Sequence, residues 1–208
     1  MSQAERSEPS LHSIRDGLRR GSGAELGDAP LRLIAAIGLV VGAVLGIAGT
    51  FATSATWRGL AWGLDGTALV VASALLTVHH FRRGNDLAAA GFLVFVAAET
   101  LIVSGSAMTL EASAPSFGAG VGLWAASLVL VSASGTMPIL VRVTGLLAAL
   151  LFTAVAVKIF MGDAVTPVSQ PLPFFAYPLL AATLGGWAWA HYRDGGQHGT
   201  TAAERREV

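Results

Sequence analysis

Glu99 is the residue whose position most clearly invites chemistry. It is the only charged side chain between 87 and 108, in a stretch that is otherwise apolar or hydroxylic. A carboxylate at mid-bilayer depth costs roughly 2.5–3.5 kcal/mol on insertion scales, so it is expected to face a bundle interior. There it could bind and release a proton or an ion. The other reading is structural: a protonated acid hydrogen-bonded to a neighbouring backbone, Ser or Thr, tying helices together. Its helical face carries Phe92, Phe95, Ile102, Val103 and Ser106, so it has little polar company on its own helix.

Two further charged residues lie within apolar stretches. Lys158 falls near the end of one and could reach toward Glu99, across roughly 9 Å of depth, or snorkel to the headgroups. Asp65 falls near the expected start of another, where the positive end of the helix dipole would hold it. It could instead line an outward vestibule with Lys158 and Asp163. His79, His80 and His191 gather at helix ends; neutral imidazole can ligate a metal or haem iron, and His80 and His191 are the pair that could meet across two helices. No Cys, His-Glu-x-x-His or carboxylate cluster supports a metal, and no cofactor is expected.

Positioning these residues requires membrane-spanning helices. Of 208 residues, 53% are hydrophobic and 12% charged, where soluble domains carry about 25% charged. A span needs about 20 apolar residues. The sequence predicts an all-α polytopic bundle of six spans at 31–53, 60–81, 87–108, 117–136, 138–161 and 172–191. A tail at 1–30 precedes them and a plain solvated tail at 193–208 follows. Pro30 and Pro138 suit helix starts, Ser134-Gly135-Thr136-Met137-Pro138 reads as a turn, and Pro178 reads as a kink inside the sixth span. Within the first tail, Leu11, Ile14 and Leu18 recur at helical spacing, with Ser10 as cap and Gly21-Ser22-Gly23 as stop. This reads either as an interfacial amphipathic helix or as a tail that merely sets topology.

Eleven Arg residues flank one side of these spans, while Arg58 and Lys158 flank the other. The positive-inside rule then places both termini in the cytoplasm, which an even number of spans requires. The absence of an early apolar stretch argues against a cleaved signal peptide. The Arg-, Ala- and Gly-rich composition suggests a bacterial inner-membrane protein. Trp57, Trp62, Phe174, Phe175 and Tyr177 are expected in the outer aromatic belt, and Phe81, Trp187, Trp189 and Tyr192 in the inner one.

Gly38, Gly42 and Gly46, and again Gly118 and Gly122, repeat at every fourth position and make smooth faces for helix contact, either within the chain or in a homo-oligomer or partner subunit. Zero net charge gives no field for nucleic acid. Phosphate-binding, hydrolase and selectivity-filter motifs are missing, which leans against an enzyme. Two functions follow as expectations. One is a small-solute or proton-coupled transporter-like protein with Glu99 as its titrating group. The other is a non-catalytic accessory or assembly protein acting through its glycine faces. A haem-binding or enzymatic subunit ranks behind both.

Overall fold

In the computed structural model the backbone is described for residues 11–204 and the side chains for 29–193. Six helices follow one another: α1 (Leu11–Phe51), α2 (Ala55–Arg82), α3 (Asp86–Gly105), α4 (Ala114–Ala133), α5 (Ile139–Phe160) and α6 (Tyr177–Glu204). Among the described residues there are no strands. Five helices contain stretches long and apolar enough to cross a membrane, Ala29–Phe51 of α1 and the whole of α2 to α5. The protein is a multi-pass membrane helix bundle whose outer face contacts lipid. Exposed Leu33, Ile37, Val44, Leu93, Leu147 and Leu150 form part of that face.

Each helix packs against its neighbours in sequence, and α6 closes on α1. The result is a ring of six, filled centrally by side chains rather than by a seventh helix. Small residues set its close contacts. A methyl built at Gly38 would lie 3.0 Å from both the Ala68 carbonyl oxygen and Ala72 Cβ, and one at Gly49 would fall on the Trp62 indole. Positions rising along α1 therefore meet positions falling along α2, an antiparallel pair. Gly118 against Ile159 and Gly122 against Ala156 show the same for α4 and α5. One end of the ring carries the α2–α3 and α4–α5 turns and the outer parts of α1 and α6; we call it the terminal end. The opposite, distal end carries residues 52–54, 106–113 and 161–176. At the terminal end the turns use Gly84 (φ 70°) and Gly135 (φ 73°), a left-handed conformation that glycine adopts without penalty. Gly135 lies in the predicted Ser134–Pro138 turn.

Several boundaries differ from the sequence reading. Helix α1 runs unbroken through Gly21-Ser22-Gly23 and holds Pro30 in its interior, so neither ends or starts a helix there. Isolated glycines weaken a helix by only about 1 kcal/mol each, and a single Pro removes one hydrogen bond. Helix α6 continues to Glu204, through most of the stretch read as a tail. It begins at Tyr177, which puts Pro178 in the first turn, where a missing N–H frees no carbonyl; the expected kink is absent. Pro138 caps α5 rather than opening its first turn. Ser10 lies outside the described residues.

Candidate functional site

Helix α2 starts five residues earlier than expected, capped by Ser54, whose hydroxyl accepts from the Trp57 N–H. Arg58, read from sequence as a loop charge, is accommodated inside this helix by donating from Nη2 to the Ala52 carbonyl at 2.9 Å. The earlier start moves Asp65 three turns into the helix, away from the N-terminal dipole. Its carboxylate points at the glycine face of the neighbouring α1: Oδ2 would lie 2.8 Å from a methyl at Gly46, and Oδ1 3.2 Å from one at Gly42. Oδ1 is buried and has no hydrogen-bond partner among the described residues.

Asp65 lines a cavity of about 70 Å³ that runs inward from the distal end. Ser106, Ser113 and Pro167 line it among the distal connections; Trp62, Phe117 and Tyr177 form aromatic walls; Trp124 and Leu184 lie deepest. At the liquid share of about 30 Å³ per water, the cavity accommodates about two waters. Tyr177 is held by donating to the Pro167 carbonyl at 2.8 Å, and Trp62 leans on α1 with Nε1 3.4 Å from the Gly46 carbonyl.

Glu99 lies just beneath. It is 1% exposed, and its Oε1 accepts a hydrogen bond from Trp124 Nε1 at 2.7 Å. Oε2 faces the α2 backbone, 3.5 Å from where a methyl at Gly66 would sit. Because α3 ends at Gly105, Glu99 stands roughly 5 Å to the distal side of the helix midpoint. Trp124 was not singled out in the sequence, although a signal exists. An indole N–H in the middle of an apolar helix needs an acceptor, and Glu99, on the preceding helix, is an acid within an apolar span that could supply one.

Below Glu99 the ring is closed by aromatic side chains. Phe92, Phe95 and Phe152 are fully buried. Phe95 stacks on Trp124 at 6.2 Å, Phe152 meets Trp124 edge-on at 5.1 Å, and Trp187 meets Phe92 at 5.0 Å and Phe95 at 5.7 Å. Trp187 and Tyr177, both expected in the belts, are thus interior residues; Trp187 is 1% exposed. Trp57, Phe81, Phe175, Trp189 and Tyr192 are exposed, as lipid-interface rings would be.

Beyond this layer, at the terminal end, His79, His80 and His191 are buried together. His80 Nε2 and His191 Nε2 are 3.0 Å apart, and His191 Nδ1 lies 2.7 Å from the Trp187 carbonyl. A carbonyl only accepts, so His191 Nδ1 carries the hydrogen. In the neutral pair His191 Nε2 is then the acceptor and His80 Nε2 the donor, which leaves His80 Nδ1 a bare lone pair. That atom is buried and unpartnered among the described residues. The two centroids stand 5.2 Å apart. Two imidazole nitrogens on one tetrahedral ion, with bonds of about 2.0–2.1 Å, would stand about 3.3–3.4 Å apart, farther than the 3.0 Å between these two. Axial ligands of one haem iron would need nitrogens about 4 Å apart. The arrangement is a hydrogen bond, and among the described residues no three His, Asp or Glu side chains converge as metal ligands.

The remaining candidates are not part of this axis. Lys158 is an exposed partner of Asp163, Nζ to Oδ2 2.6 Å, and pairs with neither Glu99 nor Asp65. Gly38, Gly42 and Gly46 face α2, and Gly118 and Gly122 face α5, all within the chain. No protein family, curated protein or solved structure matches this chain.

Proposed function

We propose that this chain is a small transporter of the bacterial cytoplasmic membrane, with both termini in the cytoplasm, that couples movement of a small solute to a proton carried by Glu99. The observation that carries this reading is the hydrogen bond from Trp124, a cavity-lining residue, to a carboxyl buried behind it. An indole N–H donates in every protonation state, so Trp124 occupies Oε1 whether or not the acid is ionised. Oε2 is then the atom that gains and loses the proton. Each such event changes the charge next to the cavity by one unit in a low-dielectric interior, where it biases both solute affinity and helix packing. The aromatic layer of Phe92, Phe95, Phe152 and Trp187 supports the same reading, because it separates the distal cavity from the terminal end. The eleven Arg residues on the terminal side supply the orientation, by the positive-inside rule. An assembly role through the glycine faces draws no support from glycines already packed against neighbouring helices of the same chain.

The test is proton movement in proteoliposomes. Vesicles with a pH-sensitive dye inside are loaded in turn with tetramethylammonium, glycine, glucose or acetate and diluted into solute-free buffer. At least one gradient is expected to drive proton movement through the wild type and not through Glu99→Gln. If no solute drives protons, or Glu99→Gln retains the full flux, the proposal fails.

A further inference from the structure

We propose that the distal cavity binds a small organic cation, an amine or quaternary ammonium, held by Asp65 and by the aromatic walls around it. The inference rests on the cavity described above and names the substrate class for the transport reading. Three observations converge. The first is charge. Among the described residues that line the cavity, Asp65 is the only ionisable acid or base other than the Tyr177 phenol, and that hydroxyl is already committed to the Pro167 carbonyl. Arg58 stands outside the lining, tied back to the Ala52 carbonyl. Lys158 is neutralised at the surface by Asp163. An occupant therefore meets one carboxyl group with no basic partner among the described lining residues, and its Oδ1 is buried without a hydrogen-bond partner among the described residues. A buried carboxylate oxygen left in that state is stabilised by a cation placed against it.

The second is shape. Trp62, Trp124, Phe117 and Tyr177 contribute ring surfaces to one small space, and aromatic faces attract alkylammonium groups through their quadrupoles. Trp62 already accepts such a contact on its outer side, with the Arg58 guanidinium carbon 5.9 Å from the ring centroid. The third is size. A cavity of about 70 Å³ that opens toward the distal end suits a compact ammonium group, such as tetramethylammonium or the head of a short primary amine, and is too small for a sugar. The remaining polar lining, Thr50, Ser106, Ser113 and Ser116, lies toward the distal connections. All four hydroxyls donate to carbonyls of their own chain segments, Thr50 to Gly46, Ser106 to Val103, Ser113 to Leu110 and Ser116 to Ser113. They leave their oxygens as acceptors facing an incoming N–H.

The experiment is binding to the purified full chain in detergent at pH 9, followed by tryptophan fluorescence and calorimetry. Tetramethylammonium chloride is the probe, and tert-butanol is its neutral counterpart of the same size. Saturable tetramethylammonium binding is expected, with tert-butanol at least tenfold weaker. Asp65→Asn should lower tetramethylammonium affinity at least tenfold and narrow the gap between the two probes. Trp62→Phe should weaken binding severalfold. Equal binding of the two probes, no saturation by tetramethylammonium up to 100 mM, or unchanged affinity in Asp65→Asn overturns the inference. The probe comparison is made on wild-type protein, so it stands even if a variant fails to fold. Cation binding without proton movement in the vesicle assay would sink proton coupling and leave this site standing. Proton movement driven only by glycine, glucose or acetate would do the reverse.

Discussion

The Trp124–Glu99 hydrogen bond has an energetic signature that can be worked out before any transport is measured. Trp124→Phe keeps an aromatic ring between Phe95 and Phe152 but removes the Trp124 Nε1 donor to Glu99 Oε1. Stranding a buried acceptor costs about 1–3 kcal/mol, and the smaller ring forfeits about 1 kcal/mol of packing. The substitution should therefore destabilise the bundle by about 2–4 kcal/mol. In a Glu99→Leu background there is no acceptor to strand, and Trp124→Phe also removes an indole N–H left without its acceptor, so the loss should be about 1 kcal/mol or less. The double-mutant cycle should thus give a coupling of at least about 1–3 kcal/mol. Reversible unfolding in mixed micelles, read by far-UV circular dichroism, measures all four corners. If the two substitutions add to within about 0.5 kcal/mol, the bond contributes nothing specific and the positioning of Oε1 argued above is wrong.

Three other outcomes follow from the same geometry. Gly46→Ala would place a methyl 2.8 Å from Asp65 Oδ2; the flexible carboxylate should swing aside, lowering tetramethylammonium affinity severalfold while the unfolding midpoint stays nearly unchanged. Nitrogen-15 NMR of labelled histidines should find the hydrogen on Nδ1 of His191 and on Nε2 of His80; the opposite tautomers would contradict the order of donors read from the Trp187 carbonyl. Lys158→Ala, which breaks a half-exposed ion pair, should change stability by no more than about 0.5 kcal/mol and leave cation binding intact; a tenfold binding loss would place Lys158 in the site after all.

How much of this was legible in the sequence depended on whether the signal was local. Uncharged runs and the Gly135 turn are local, and they located α3, α4 and α5 to within a few residues. Glu99 was legible as buried because hydrocarbon leaves a carboxyl no other place. Asp65 was misplaced because Arg58 read as a loop charge, whereas its side chain returns to the Ala52 carbonyl and lets α2 begin earlier. Trp187 and Tyr177 were assigned to lipid interfaces because aromatic rings near span ends usually lie there; which face of α6 turns inward depends on α1 and α5, and no periodicity in α6 alone reports it. The meeting of His80 with His191 required ring closure, a contact between residues 111 positions apart.

That closure also bears on how the chain assembles. Five of the six helix contacts join consecutive helices and can form as hairpins while the chain enters the bilayer. The α5–α6 and α1–α6 contacts must wait for the last helix, and only the second joins helices that are not consecutive. Until then the ring is an open arc with Asp65 and Glu99 unenclosed, and the final helix both completes the wall and supplies Trp187, His191 and Tyr177 to the axis. The α1–α6 seam is also the only junction in the circle that no connecting loop spans. A ring of this kind has no intrinsic first helix: joining the termini and reopening the chain at another loop preserves every neighbour while changing which seam is left unlinked.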